Sequence, residues 1–153
     1  MLEDSLRNRR ILIVEDEYMI AEYLQSELED AGAVLAGMFG RLDEALEWIQ
    51  QERPVDAAIL DVNLGGQQVF PLADKLMARG VPFVFATGYD ASSIPPRFER
   101  VARCEKPYNT AAMLRAISRS LAPPPDRARQ SASSVLSDTG SDMRQCTPSR
   151  SRV

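Results

Sequence analysis

"DAAILDV", residues 56–62, opens on an acid, runs through four apolar residues without a break, and meets a second acid at Asp61. It does not alternate, so it reads as a strand covered on both faces. The segments on either side have a different period. "LDEALEWIQQER" (42–53) places Leu42, Ala45, Leu46 and Ile49 on one side of a helix. "QVFPLADKLMARG" (68–80) reads as another helix, with Pro71 tolerable only in its first turn. Beyond these lie strand-like runs again, a weaker "AVLAGMF" (33–39) and a strong "VPFVFAT" (81–87).

The outer segments repeat the alternation. "RILIVE" (10–15) is a short branched apolar run. "DEYMIAEYLQSELEDAG" (16–32) has Met19, Ile20, Tyr23, Leu24 and Leu28 at helical spacing, with Gly32 as its stop. "VARCEKP" (101–107) is a short strand, and "NTAAMLRAISRSLA" (109–122) a helix with Asn109 as N-cap. Five βα units imply a parallel sheet with helices on both faces and right-handed crossovers. The expected architecture is an α/β, flavodoxin-like (βα)5 three-layer sandwich whose five parallel strands run in the order 2-1-3-4-5.

Composition narrows the function. The chain has 153 residues, 44% hydrophobic and 26% charged, which suits an ordinary globular protein. No apolar run approaches the roughly 18 residues of a membrane span. The N-terminal residues carry no leader-like apolar stretch, so a cytoplasmic location and no membrane partner are expected. With no histidine in the chain, a His-based triad, a His metal site and a phosphohistidine of its own are excluded. Two cysteines, Cys104 in a strand and Cys146 in a polar segment, do not suggest a disulfide framework.

Residues 1–121 carry 13 basic and 19 acidic side chains, while 122–153 carry 5 and 3. An acidic folded part argues against DNA as a partner. The expected organisation is an N-terminal extension (1–8), one folded domain (9–121) and a disordered Ser/Arg/Pro-rich tail (122–153), where three prolines end the last helix.

In open parallel sheets, ligands bind beyond the carboxyl ends of the strands, at the point where strand order reverses. Here those ends read "VEDE", "LDVN", "ATGY" and "EKPY". Strands one and three would bring Glu15, Asp16 and Asp61 together. Converging carboxylates repel, and a hard divalent cation such as Mg²⁺ (or Mn²⁺) relieves that repulsion through oxygen ligands. Asp61 is then a candidate nucleophile, because aspartate can form an acyl phosphate. Lys106 can supply positive charge and Thr87 a hydroxyl to a phosphoryl oxygen. Each residue also has a simpler reading. Glu15, Asp16 and Glu17 suit an acidic helix start, Asp61 a solvated strand end, Thr87 a turn and Lys106 the surface. Chance is a poor account of all four strand ends at once, and Lys106 is one of only two lysines.

These residues resemble the response-regulator receiver domain of two-component signalling, over about residues 9–121. "PFVFATGYD" followed by "EKPY" is similar to its FAT-GUY subgroup. The resemblance implies that Asp61 accepts a phosphoryl group from a phosphohistidine on a histidine kinase or histidine phosphotransfer protein. It implies Mg²⁺ bound by Asp16, Asp61 and the backbone carbonyl of Asn63, with Glu15 assisting. It further implies that Thr87 and Lys106 engage the phosphoryl group, and that the Lys106–Pro107 peptide is often cis.

Three departures stand out. Arg103 occupies the position where many receivers carry a switching aromatic, leaving Tyr89 or Tyr108 as substitutes. Gly65 and Gly66 stand where a proline is common, so a more flexible loop is expected. Pro95 and Pro96 interrupt "ASSIPPRFER", so the fourth helix should be short or irregular, with residues 89–100 ordering on phosphorylation.

The expected function is a single-domain regulator signalling through an unknown protein target or relaying phosphate, with a homodimer as one assembly. It is not an enzyme beyond handling its own phosphoryl group. Three alternatives remain: an aspartate-nucleophile phosphatase, a degenerate receiver-like binding module and a flavin or nucleotide binder. Asn63 argues against the first, since an aspartate two residues after the nucleophile normally does its acid–base work. No strand–GxGxxG–helix or P-loop pattern supports the last.

Overall fold

The computed structural model describes residues 5–88 and 93–121. Its centre is β3 (Ala57–Asp61), in which every residue is buried. Side chains alternate across a strand, and both sets find apolar partners here. Ala57 and Ile59 enter one core with Ile11 and Ile13, while Ala58 and Leu60 enter the other with Leu12 and Val14. This double burial explains the unbroken apolar runs in β3 and in β1 (Arg10–Val14).

With β2 (Val34–Phe39), β4 (Phe83–Thr87) and β5 (Arg103–Glu105), these strands form one parallel sheet in the order β2-β1-β3-β4-β5. Helices α1 (Tyr18–Asp30) and α4 (Thr110–Leu121) cover the Ile11/Ile59 side. Helices α2 (Leu42–Gln50) and α3 (Phe70–Ala78) cover the Leu12/Leu60 side. The flavodoxin-like three-layer sandwich is therefore observed. Asn109 caps α4 as expected, its Oδ1 accepting the Ala112 N–H at 3.2 Å.

Helix α1 corrects the sequence reading twice. It begins at Tyr18, two residues later than expected, and its buried positions are Ala21, Leu24 and Leu28. Met19 and Tyr23, expected on the core face, are 81% and 59% exposed. The inward stripe follows Ala21, Leu24 and Leu28 at i, i+3 and i+7, and Met19 and Tyr23 fall on the opposite face of the helix.

At Gly65–Gly66, where a loop without the usual proline is expected, the chain makes a tight hairpin. Asn63–Leu64 pairs antiparallel with Gln67–Gln68, and both glycines have positive φ, +58° and +93°. That is the conformation a two-residue hairpin turn of the primed kind requires, and glycine adopts it without steric penalty. The turn is held at both ends. Gly66 N–H donates to Asn63 Oδ1 at 2.8 Å, and Gly65 N–H donates to Asp16 Oδ2 at 3.1 Å.

Between β4 and β5 the described residues hold no α-helix, and a 3₁₀ turn forms at Pro96–Phe98. The irregular fourth helix expected from the two prolines is thus found over residues 93–101, with 89–92, including Tyr89, outside the described residues. Phe98 is completely buried. It stacks on Phe70 at 5.6 Å and meets Phe85 edge-on at 5.5 Å and Phe83 at 6.2 Å. Arg97 makes two hydrogen bonds to Asp74 on α3, at 2.8 and 2.9 Å.

Candidate functional site

Four strand ends deliver the site. After β1 the chain continues into Glu15, whose N–H still bonds to Phe39 O at 2.9 Å, so Glu15 remains anchored to the sheet. Its carboxylate is 4% exposed. Asp61 ends β3, equally buried, and Thr87 ends β4 with no exposure at all. Lys106 follows β5, its N–H donating to Thr87 O at 2.6 Å, and its peptide to Pro107 is cis.

The acids are not spent on starting α1. Glu17 occupies the cap position without a side-chain capping bond, and its N–H donates to Glu15 Oε2 at 3.1 Å. Asp16 reaches the Gly65 amide across 49 residues of sequence. Glu15, Asp16 and Asp61 each present a carboxylate oxygen within 4.8 Å of the others. Lys106 Nζ donates to Asp61 Oδ2 at 2.8 Å and to Glu15 Oε2 at 3.3 Å. Asn63 N–H donates to Asp61 Oδ1 at 3.3 Å. The bowl above these groups holds about 350 Å³ and is rimmed by Asp16, Asn63, Gly65, Gly66, Gly88 and Lys106.

Burial dominates the electrostatics. It raises the Glu15 carboxyl well above the ordinary range, and the negative charge of Asp61 adds to the rise. Burial also raises Asp61, against the opposing hydrogen bond from Lys106. For Lys106, burial pulls downward, but the hydrogen bonds and charges of Asp61 and Glu15 outweigh it and leave the ammonium more basic than usual. One lysine does not neutralise three acids, and an all-oxygen donor set of this kind suits a hard divalent cation. Thr87 Oγ1 is buried with no hydrogen-bond partner. Such an orphan costs about 1–3 kcal/mol and calls for an explanation.

A pH prediction follows from the two raised carboxyls. Both bind protons more tightly in the fold than in the unfolded chain. The stability they contribute is full below the ordinary carboxylate range and is lost as pH rises through the raised values. Metal-free protein is therefore expected to lose thermal stability between roughly pH 5 and pH 8. Added Mg²⁺ should flatten that loss by replacing protons with a cation. Melting followed by circular dichroism in chelator and in Mg²⁺ checks this, and a metal-free profile that rises over the window would contradict it.

The matching family is the response regulator receiver domain, over residues 11–102. The chain belongs to this family. Among solved receiver structures it is similar to SdrG from Sphingomonas melonis Fr1, at 40% identity and TM-score 0.61, covering 72% of this chain and 96% of that one. SdrG has also been solved in a BeF3-activated conformation, again at 40% identity, with TM-score 0.59 and coverage of 71% and 95%. The receiver domain of Erythrobacter litoralis PhyR matches at 25% identity and TM-score 0.66, covering 78% of this chain and 98% of that domain. The transcriptional regulatory protein PdtaR of Mycobacterium tuberculosis is 27% identical over 118 residues, 74% of this chain. This receiver spans 57% of the length of that relative. Receivers of this family bind Mg²⁺ in an acidic pocket, and the acidic cluster here is Glu15, Asp16 and Asp61.

Every expected side chain of this receiver except Tyr89 lies in the described residues. Glu15, Asp16, Asp61 and Lys106 converge directly, with Asn63 at the rim and Thr87 on the next strand end. Arg103, on β5, is exposed. Two features escaped the sequence reading. The tight turn that brings the Gly65 amide to Asp16 was signalled by the paired glycines Gly65 and Gly66, a usual mark of a tight hairpin. The burial of the Tyr108 hydroxyl had no local signal. Among the described residues no helix is long and apolar enough to cross a membrane.

Proposed function

We propose that this receiver takes a phosphoryl group onto Asp61 from a phosphohistidine of a kinase or phosphotransfer protein in the cytoplasm. A carboxylate oxygen of Asp61 attacks phosphorus, the P–O bond forms as the P–N bond breaks, and imidazole leaves. The convergence of Asp61 and Lys106 at 2.8 Å, beside a buried threonine hydroxyl without a partner, carries the proposal. Lys106 places its ammonium where the transferred charge arrives. Thr87 Oγ1, which bonds to nothing in this state, donates to a phosphoryl oxygen. Phosphoryl transfer asks mainly for positioning and charge neutralisation, and these residues supply both.

Asp16, Asp61 and the Asn63 carbonyl would hold Mg²⁺ (or Mn²⁺), with Glu15 assisting. The cation would supply the remaining charge neutralisation for an anionic substrate approaching an acidic bowl. The BeF3-activated conformation of SdrG, a 40% identical receiver, supports the same reading here. Output is through protein–protein contact, as relay, phosphate sink or target-binding switch, and the domain does no catalysis beyond gaining and losing its own phosphoryl group.

Intact mass after incubation with a small acyl phosphate tests the proposal. An increase of one phosphoryl group is expected in Mg²⁺ and not in chelator. No adduct with acyl phosphate or with a phosphorylated histidine donor would overturn it.

A further inference from the structure

Of the three acids at the site, Asp16 has the least to hold it. Glu15 and Asp61 are buried, and both accept hydrogen bonds from Lys106 Nζ, at 3.3 and 2.8 Å. Asp16 is exposed, and Lys106 pairs with the other two acids and not with it. Two neighbouring carboxylates repel its charge, so an unrestrained Asp16 side chain would turn out into water. Yet it presents an oxygen within 4.8 Å of the other two acids. Among the described residues, the hydrogen bond that holds its carboxylate there comes from Gly65 N–H to Oδ2, at 3.1 Å. A backbone N–H on a carboxylate is a charge-assisted bond, stronger than one between neutral groups.

That amide sits on a seated arm. The base of the hairpin is closed by Val69 N–H donating to Val62 O at 2.9 Å, and Val62, Leu64 and Val69 all enter the core on the α2/α3 side. Gln68 Nε2 donates to Ser93 Oγ at 3.3 Å. At the tip, Gly65 (φ +58°) and Gly66 (φ +93°) take the conformation of a primed two-residue turn, and Asn63 Oδ1 accepts from Gly66. The core and the turn therefore fix where the Gly65 amide points, and Asp16 comes to it. A proline, common here in other receivers, has no N–H to donate and fixes φ near −65°. The bond to Asp16 belongs to the glycine form of the loop.

We propose that Gly65 is a positioning residue for the divalent cation: its amide holds Asp16 at the rim of the acidic bowl, so this ligand is already ordered when the cation arrives. Ordering a ligand in advance raises affinity by removing a cost of binding. This rests on the cation part of the proposed function, and it gives the glycine pair a role beyond turning the chain.

Calorimetric titration of Mg²⁺ into the full chain, with no phosphoryl donor present, reads binding alone. Gly65→Asn keeps the N–H, asparagine tolerates positive φ, and a Cβ there meets nothing within 4 Å. Asn-Gly is a favoured pair for this turn, so the Mg²⁺ dissociation constant of Gly65→Asn should stay within about twofold of wild type. Gly65→Pro removes the N–H, and its dissociation constant should rise about tenfold, as is usual when a group orienting a metal ligand is lost. Equal affinity in Gly65→Pro and wild type overturns the proposal. So does equal weakening in both variants, which would assign the effect to the shape of the turn. Melting in chelator shows whether each variant folds. If Gly65→Pro does not, amide hydrogen exchange decides: metal-free wild type should protect the Gly65 N–H and Asp16→Ala should lose that protection, whereas equal exchange in the two refutes the bond. If wild type itself takes up no Mg²⁺, the cation reading fails instead.

Discussion

Asp61→Asn is expected to give no phosphoryl adduct under any condition that labels the wild type, and to melt at a higher temperature. The first outcome follows from chemistry. A carboxamide oxygen is a poor nucleophile towards phosphorus, and among the described residues no second carboxylate shares Asp61's 2.8 Å contact with Lys106. The second outcome follows from electrostatics. Burial raises Asp61 because the fold disfavours its charge relative to water, so holding a carboxylate there costs stability at neutral pH. Asparagine keeps the shape and can still accept from Lys106, which retains Glu15 as its ionic partner. Intact mass and thermal melting of the same sample check both. A variant that loses the adduct and also melts lower would show that the ion pair outweighs the burial of the acid. A site that stabilises when its nucleophile is removed is one that function, not folding, maintains.

Phe98→Ala should be the most destabilising single change in the described residues outside the sheet. The side chain is fully enclosed by Phe70, Phe83 and Phe85, so truncation leaves a cavity that rigid neighbouring rings cannot collapse into. Loss of a buried phenylalanine typically costs about 3–5 kcal/mol. That is a large part of the roughly 5–15 kcal/mol that holds a typical domain together. Urea unfolding measures it directly, and a loss below about 1 kcal/mol would mean that the turn is not anchored by this ring. Phe98→Leu should cost less, because much of the volume stays filled. The neighbouring Arg97–Asp74 pair is half-exposed on both sides and should matter far less than the ring, since water and salt screen it.

The fold was legible because its signal is periodic. The non-alternating apolar runs within 10–15, 56–62 and 81–87 suit strands covered on both faces, and helical spacing between them sets the crossovers. The candidate site was legible for a related reason: strand ends are easy to locate, so the sequence alone places Glu15, Asp16, Asp61, Thr87 and Lys106 at one end of the sheet. Where the reading failed, the deciding contact is non-local. Met19 and Tyr23 fit the helical period of α1, but which flank turns inward depends on how α1 seats on β1 and α4. The contact of the Gly65 amide with Asp16, 49 residues away, has no mark in the local sequence. Phe98 reads as one apolar residue in a proline-broken segment, and nothing nearby in sequence reveals the three rings it enters.

The alternation along the strands has a consequence for signal routing. Asp61 continues the Ala57–Ile59 side of β3, while Thr87 continues the Phe83–Phe85 side of β4. The phosphoryl group proposed for Asp61 would lie at the rim of this partition, bordering both compartments. The compartment behind Asp61 contains α1, α4 and Tyr108; the one behind Thr87 contains the aromatic cluster and the 93–101 turn. The phosphorylation proposed for Asp61 would therefore border two packed layers at once, and substitutions deep in either layer would be expected to affect the surface on their own side first.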